Sequence, residues 1–416
     1  MGVTSVVDGY TSPAFEAVAD VFADQLTRTR GGASVCVYHR GEIVADLWGG
    51  VRDGEATPWD PDTLAMCFST TKGVASTAVH VCAERGLIDY DARVAEYWPE
   101  FAQNGKQDVL VRHVLSHSAG LHGLRRIIPD ASVMLDWDAM VAALAAAKPA
   151  YEPGTRAGYH ALTYGWLAGE LVRRVSGKPL EVFVADDLCG PLGIDGVFLG
   201  CPPEERHRIA QLRPVGLPAA AEPAMGRLGK KIGKPFGQLL SLLHSPVNPR
   251  RMINAFAPRG VEDVLWGSEV LDAVIPAANG FLSARGLARM YAMIAGGGEL
   301  DGVRLLSPER VREMGTAQNR RLDLLLVAPM CWRLGYHIIA TTRGIDHDAM
   351  GHFGFGGSGG WADPERDLAI AMVCNRGTGS PLGDLRLLRL GAAALDGARS
   401  ARSSDPDETR RGSVAV

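Results

Sequence analysis

Apolar residues recur at helical spacing near the start of the chain. Phe15, Val18, Val21, Phe22 and Leu26 share one face over residues 13–29, which predicts an amphipathic helix. The period then changes. Ala33-Ser34-Val35-Cys36-Val37-Tyr38 and Ile43-Val44-Ala45-Asp46-Leu47-Trp48 are β-rich runs on either side of Arg40-Gly41, the pattern of a hairpin. From Ser69 to about residue 190 the spacing is mostly helical, broken by loops such as Ser116-His117-Ser118-Ala119-Gly120 and Pro153-Gly154. Strand character returns over 334–339, in a glycine-rich stretch around 351–361, and over 368–373. A last helix is predicted over roughly 381–397, before a polar tail, 399–416, expected to be disordered. Strands at both ends with helices between imply an α+β architecture. One sheet is assembled from the N- and C-terminal segments (about 13–65 and 330–398), flanked by the terminal helices. A mostly helical lobe (about 66–330) is inserted, all within one unit of 1–398. An active site is then expected in the cleft between sheet and helical lobe.

Composition narrows the classes. A chain of 416 residues with 46% hydrophobic and 22% charged residues can bury a large core, as soluble enzymes do. A net charge of −4, without any aromatic-and-basic motif, speaks against nucleic acid as a partner. The N-terminus has neither a basic start nor an apolar core for secretion, and no apolar run is long enough to span a membrane, so a cytoplasmic location is expected. Seven cysteines, odd in number and never in Cys-x-x-Cys spacing, read as small buried hydrophobes in a reducing compartment. His113 and His117 have the spacing of a helical metal pair, but no Glu follows His113. No metal or other cofactor is expected.

Residues 201–260 stand apart. They hold ten Lys or Arg against three acids, with Leu239, Leu240, Leu242 and Leu243 among them. Two readings stay open: a lid that touches a membrane surface or an acyl chain, and a solvated helical excursion with some buried leucines.

Candidate chemistry begins at Ser69-Thr70-Thr71-Lys72, which opens an apolar helical run. On a helix, positions three apart share a face, so the Lys72 amine can reach the Ser69 hydroxyl. Burial and the positive field of the helix N-terminus both push the amine toward its neutral, proton-accepting form. Tyr159 follows a Pro- and Gly-rich loop and precedes a helix over 162–175. Near a neutral lysine its hydroxyl can relay a proton, so Ser, Lys and Tyr together replace a histidine base. The run Gly351-His352-Phe353-Gly354-Phe355-Gly356-Gly357-Ser358-Gly359-Gly360 permits close approach of backbone to a ligand. A backbone N–H there, with that of Ser69, could form an oxyanion hole. The same run contains Gly-x-Ser-x-Gly around Ser358. That motif needs a following helix and a later histidine, and no histidine follows His352.

The ordered set Ser69-x-x-Lys72, Tyr159-x-Ala161 and His352-x-Gly354 resembles the serine β-lactamase and penicillin-binding-protein superfamily. It is most similar to the class C β-lactamase-like esterases, the family VIII carboxylesterases. The segment from Val114 through Leu121, and Asp363-Pro364-Glu365 with the strand ending at Asn375, match as well. The resemblance spans roughly 15–395. It implies a β-lactamase/transpeptidase-like fold with an antiparallel sheet. It also implies Ser69 as acylated nucleophile, Lys72 as its proton acceptor and Tyr159 as base or relay. His352 and Gly354 would line the oxyanion strand, and Phe355 would give the second oxyanion N–H. His160, next to Tyr159 in sequence, is a further candidate on the substrate side and the next candidate for the relay. The lactam-hydrolysing relatives have Asn where Ala161 stands, and Lys where His352 stands. Both differences remove polar contacts to a lactam and favour hydrolysis of small carboxylic esters with short- to medium-chain acyl groups. A β-lactamase, a D-amino-acid peptidase or amidase, and an acyltransferase are alternatives on the same fold. A non-enzymatic binding protein fits poorly, since Ser69, Lys72 and Tyr159 are all present.

Overall fold

The computed structural model describes residues 7–29, 31–212, 248–376 and 385–403. Its main sheet has seven strands in the order β1-β3-β2-β12-β11-β10-β9. These are β1 (Val7–Thr11), β2 (Gly32–His39), β3 (Glu42–Gly50), β9 (His337–Thr341), β10 (Gly344–Phe353), β11 (Gly359–Asp363) and β12 (Leu368–Cys374). Every neighbouring pair is antiparallel. The two ends of the chain meet where β2 pairs β12, with Val37 opposite Ile370 and Cys36 opposite Ala371. A smaller sheet of β4 (Ala65–Met66), β5 (Val197–Leu199) and β6 (Gly280–Leu282) lies under the helical lobe. β7 (Glu299–Leu300) and β8 (Val303–Arg304) form a short hairpin.

Alternation along the central strands divides the core. Val35, Val37, Ile370 and Met372 face one way, into a cluster with Phe15, Val18 and Phe22 of the N-terminal segment and Leu390 and Ala394 of the C-terminal one. Helices α1 (Glu16–Arg28) and α6 (Leu385–Ser403) cover that face. Cys36, Tyr38, Ala369, Ala371 and Val373 face the opposite way. There they meet α5 (Ala284–Ala295), behind which lie α2 (Thr71–Glu84) and α3 (Thr163–Ser176). α2 is the central helix of the molecule, with every residue from Thr71 to Ala83 buried. Its polar side chains are held internally: Ser76 Oγ lies 2.6 Å from Tyr164 Oη, and Thr77 Oγ1 lies 2.8 Å from Tyr336 Oη.

Three expectations shift. β1 pairs with β3 and extends the sheet toward the N-terminus, ahead of residue 13. β9 begins at His337 rather than 334, because Gly335 adopts φ +82° and presses on α2, where a Cβ would lie 2.3 Å from Ser76 Oγ. The last helix runs on to Ser403, so 399–403 are helical rather than tail. Most of the basic, leucine-containing stretch of 201–260, including Leu239 to Leu243, lies outside the described residues, as does 404–416. The described parts of that stretch include a 3₁₀ turn, Pro203–Arg208, and helix α4 (Pro249–Phe256). No described helix is long and apolar enough to cross a membrane.

Candidate active site

Ser69 sits in a 3₁₀ turn, Phe68–Thr70, between β4 and α2. Phe68 before it has φ +46°, a strained left-handed conformation for a bulky residue. The turn is over-determined by its neighbours. Cys67 N–H donates to Gly280 O (2.8 Å), and Gly280 N–H donates to Thr71 Oγ1 (2.9 Å). Thr70 Oγ1 donates to Ser358 O (2.9 Å). The Ser69 segment is thereby pinned to both sheets.

Lys72 places Nζ 2.9 Å from Ser69 Oγ and 3.1 Å from Ala277 O. Tyr159 Oη lies 2.8 Å from the same Oγ, and Lys72 Nζ stands 5.0 Å from the centroid of the Tyr159 ring. Lys72 is fully buried with no carboxylate paired to it among the described residues, and burial holds its pKa well below the ordinary lysine range. Burial moves the Tyr159 phenol the other way, up. A neutral amine and a protonated phenol permit one consistent arrangement of protons. Tyr159 O–H donates to Ser69 Oγ, Ser69 O–H donates to the Nζ lone pair, and an Nζ–H donates to Ala277 O. This arrangement leaves the serine proton on the path to its acceptor. Asn279 holds the Ala277 loop, accepting from Ile275 N–H (2.8 Å) and donating to Val270 O and Ala273 O (2.8 and 2.7 Å).

Tyr159 is itself held. Its ring stacks on Trp332 at 5.4 Å between centroids and 5° between planes, and His117 meets it edge-on at 4.9 Å. Its N–H donates to Asp323 Oδ1 (3.3 Å). The buried Asp323 carboxylate also accepts from Leu325 N–H (2.9 Å), Leu326 N–H (3.1 Å) and Trp332 Nε1–H (2.9 Å). Asp323 and Trp332 escaped the sequence reading, since neither belongs to a motif. His117 stands in the sequence in the segment ending at Leu121 and at metal-pair spacing from His113, and neither pattern points to its packing against Tyr159. His160, expected beside the substrate, is instead part of the wall behind Tyr159. It is fully buried, its Nε2 accepts from Leu121 N–H (3.0 Å), and its ring packs on His117 and His122.

The opposite wall is the end of β10 and the turn into β11. Gly354 lies so close to the Ser69 turn that a Cβ would meet Cys67 O at 2.3 Å and Thr70 Oγ1 at 2.7 Å, which only glycine tolerates. Its own N–H is committed to Ser358 O (2.8 Å), so it contributes close approach rather than a donor. No protein acceptor meets the N–H of Ser69 or of Phe355 among the described residues, which leaves both available to a developing oxyanion. His352 is buried, with Nδ1 3.0 Å from Phe353 O, and desolvation with nearby His337 and Lys72 keeps its pKa well below the usual histidine value. It is a neutral ring at pH 7. Ser358 is buried, accepts from Cys374 N–H (3.1 Å) and leads into a strand, not the helix a nucleophile elbow requires.

Beside Ser69, Phe68 and Phe355 form part of an apolar cavity of about 390 Å³, continued by Leu212, Leu265, Trp266 and Leu271. Phe68 makes edge contacts with Trp266 and Phe355, both at 5.8 Å. No group of three or more His, Cys, Asp or Glu among the described residues is placed to hold a metal ion.

Comparison with known proteins places the chain in one family. The family model for beta-lactamase matches residues 18–394. The esterase/beta-lactamase LipL of Mycobacterium tuberculosis is 41% identical over 379 residues, which cover 89% of this chain and 83% of LipL. The solved structure of a family VIII carboxylesterase superposes with a TM-score of 0.82 at 37% identity, covering 94% of this chain and 100% of that one. A penicillin-binding protein homolog from Caulobacter crescentus superposes with a TM-score of 0.81 at 35% identity, with the same coverage.

Proposed function

The chain belongs to the beta-lactamase family, and from that premise we propose that it is a carboxylesterase working through an acyl-enzyme on Ser69. Ser69 Oγ attacks the ester carbonyl while its proton passes to Lys72 Nζ, and the oxyanion forms against the N–H groups of Ser69 and Phe355. Tyr159 relays a proton to the leaving alkoxide, and the alcohol departs. Water then attacks the acyl-Ser69 carbonyl, giving a proton to the Tyr159–Lys72 pair, and the acid leaves as Ser69 regains its own. The observation that carries this reading is the double contact on Ser69 Oγ: Lys72 Nζ at 2.9 Å and Tyr159 Oη at 2.8 Å, in a pocket that disfavours charge on either partner.

The substrate is a small ester with a short- to medium-chain acyl group. The apolar cavity flanked by Phe68 and Phe355 supports this, since it offers burial for methylenes and few polar partners. Ala161 has no amide, and His352 is neutral where a cation would bind a lactam carboxylate. Losing hydrogen bonds worth roughly 1.5–3 kcal/mol each when charge-assisted disfavours lactams by orders of magnitude. The name of LipL joins both activities, so the deciding experiment compares kcat/KM for p-nitrophenyl butyrate and nitrocefin on one preparation. The ester should win by several orders of magnitude; a faster nitrocefin reaction would overturn the assignment. All seven thiols are free, which supports a reducing, cytoplasmic location.

A further inference from the structure

We propose that the protein carries a second binding site, for a small polyanion bearing phosphate or carboxylate groups. It lies in a cavity of about 580 Å³ between the 120–127 segment, the 147–156 loop and α4. Arg126, Lys148, Arg156 and Arg251 line it, and no Asp or Glu does. Many arginines elsewhere are matched to carboxylates, among them Arg85 to Asp187, Arg285 to Asp46 and Asp62, and Arg366 to Asp346 and Asp363, while Arg125, Arg321 and Arg333 meet backbone carbonyls. The four cations of this cavity pair with no carboxylate among the described residues. By sequence, the stretch between Leu212 and Asn248 is itself basic, with one acid, Glu222, against Arg213, Arg227, Lys230, Lys231 and Lys234.

Four like charges around one concavity repel one another, and an anion seated among them relieves that repulsion. Three of the four are guanidiniums, whose planar donor forks match phosphate and carboxylate oxygens. The floor is firm: the Tyr151 ring stacks on His122 at 5.7 Å and 24°, and Tyr151 Oη donates to His117 O (3.4 Å). A concave site of this volume suits a compact anion rather than a flat bilayer. The site is separate from the acyl-transfer machinery, although its walls touch the loop that holds Tyr159, through Leu121 N–H to His160 and Leu324 N–H to Ala157 O.

The test is calorimetric titration of the full-length Ser69→Ala protein with inorganic pyrophosphate and, separately, with citrate, at fixed ionic strength. Because Ser69→Ala removes turnover, the result does not depend on the esterase reading. One-to-one saturable binding is expected for at least one probe, weakening as sodium chloride is raised and about tenfold or more weaker in Arg126→Ala/Arg251→Ala. Stronger binding of pyrophosphate identifies a phosphate ligand, and stronger binding of citrate a carboxylate one. Lys148→Glu, a change on an exposed loop, should weaken binding as well and covers the case in which the double variant fails to fold. Absence of saturable binding, or binding indifferent to both variants, would overturn the proposal. So would binding only to phosphatidylglycerol vesicles, which would make the basic residues a membrane contact.

Discussion

Replacing Asp323 by Asn probes how the proton relay is held in place. The buried carboxylate accepts three backbone N–H groups on Oδ1, from Tyr159, Leu325 and Leu326, and the Trp332 indole N–H on Oδ2. Asparagine can keep its amide oxygen on the three backbone donors, which turns its NH₂ toward the indole N–H. One charge-assisted bond is lost, and two buried donors face each other. Such a loss costs about 2–3 kcal/mol. Trp332 is the surface on which the Tyr159 ring stacks, so the cost is paid by the relay as well as by the fold. A displacement of about 1 Å of Tyr159 Oη from its 2.8 Å contact with Ser69 is expected to lower kcat by about 10²-fold. The assay pairs kcat and KM for p-nitrophenyl butyrate with a urea denaturation midpoint. The expected outcome is loss of both kcat and stability, with KM nearly unchanged. If stability falls by the stated amount while kcat stays within about twofold, Asp323 supports the loop alone and the positioning argument is wrong.

Lys72→Arg puts a cation that cannot be deprotonated in place of a neutral amine, and Tyr159→Phe removes the relay proton. Each should lower kcat by about 10³-fold or more with a modest change in KM, and a near-normal kcat in Tyr159→Phe would require another relay. Because burial lowers the Lys72 pKa, wild-type activity on a neutral ester should level off well below the pH at which an exposed lysine titrates; a rate still climbing near about pH 10 would show that Lys72 titrates like an exposed lysine. His80, His117, His160, His337 and His352 are buried and held neutral, with pKa values pushed down by desolvation, His337 to about 4. The unfolded chain therefore binds more protons below about pH 6.5. Stability should fall as pH drops from there toward 5, by up to about 2 kcal/mol per histidine, and a flat Tm over that range would contradict the burial. Trp266→Ala opens the apolar cavity, so the preference for p-nitrophenyl octanoate over acetate should shrink by about fourfold per methylene no longer buried, measured as the ratio of kcat/KM values.

What the sequence disclosed was what local pattern encodes. The β-rich runs through Val35-Cys36-Val37 and Ile370-Ala371-Met372 mark strands, and the structure sets them side by side with both faces buried. The Ser69–Lys72 spacing needed only a helical turn, so it survived translation into geometry. Tyr159 stood out through its family motif. Asp323 did not, because its partners Tyr159 and Trp332 come together only through a loop whose conformation no periodicity signals. His160 misled for the opposite reason: adjacency to Tyr159 in sequence put its ring on the far side of the backbone, against Leu121. β9 was placed three residues early because the run Leu334-Gly335-Tyr336 is apolar enough for a strand, while Gly335 takes a positive φ to clear Ser76.

The central claim is that the acyl group travels on Ser69. The direct measurement is mass spectrometry of peptides after reaction with a fluorophosphonate probe. A single adduct is expected on the peptide containing Ser69, abolished in Ser69→Ala and retained in Ser358→Ala. An adduct on the peptide containing Ser358, surviving Ser69→Ala, would contradict it.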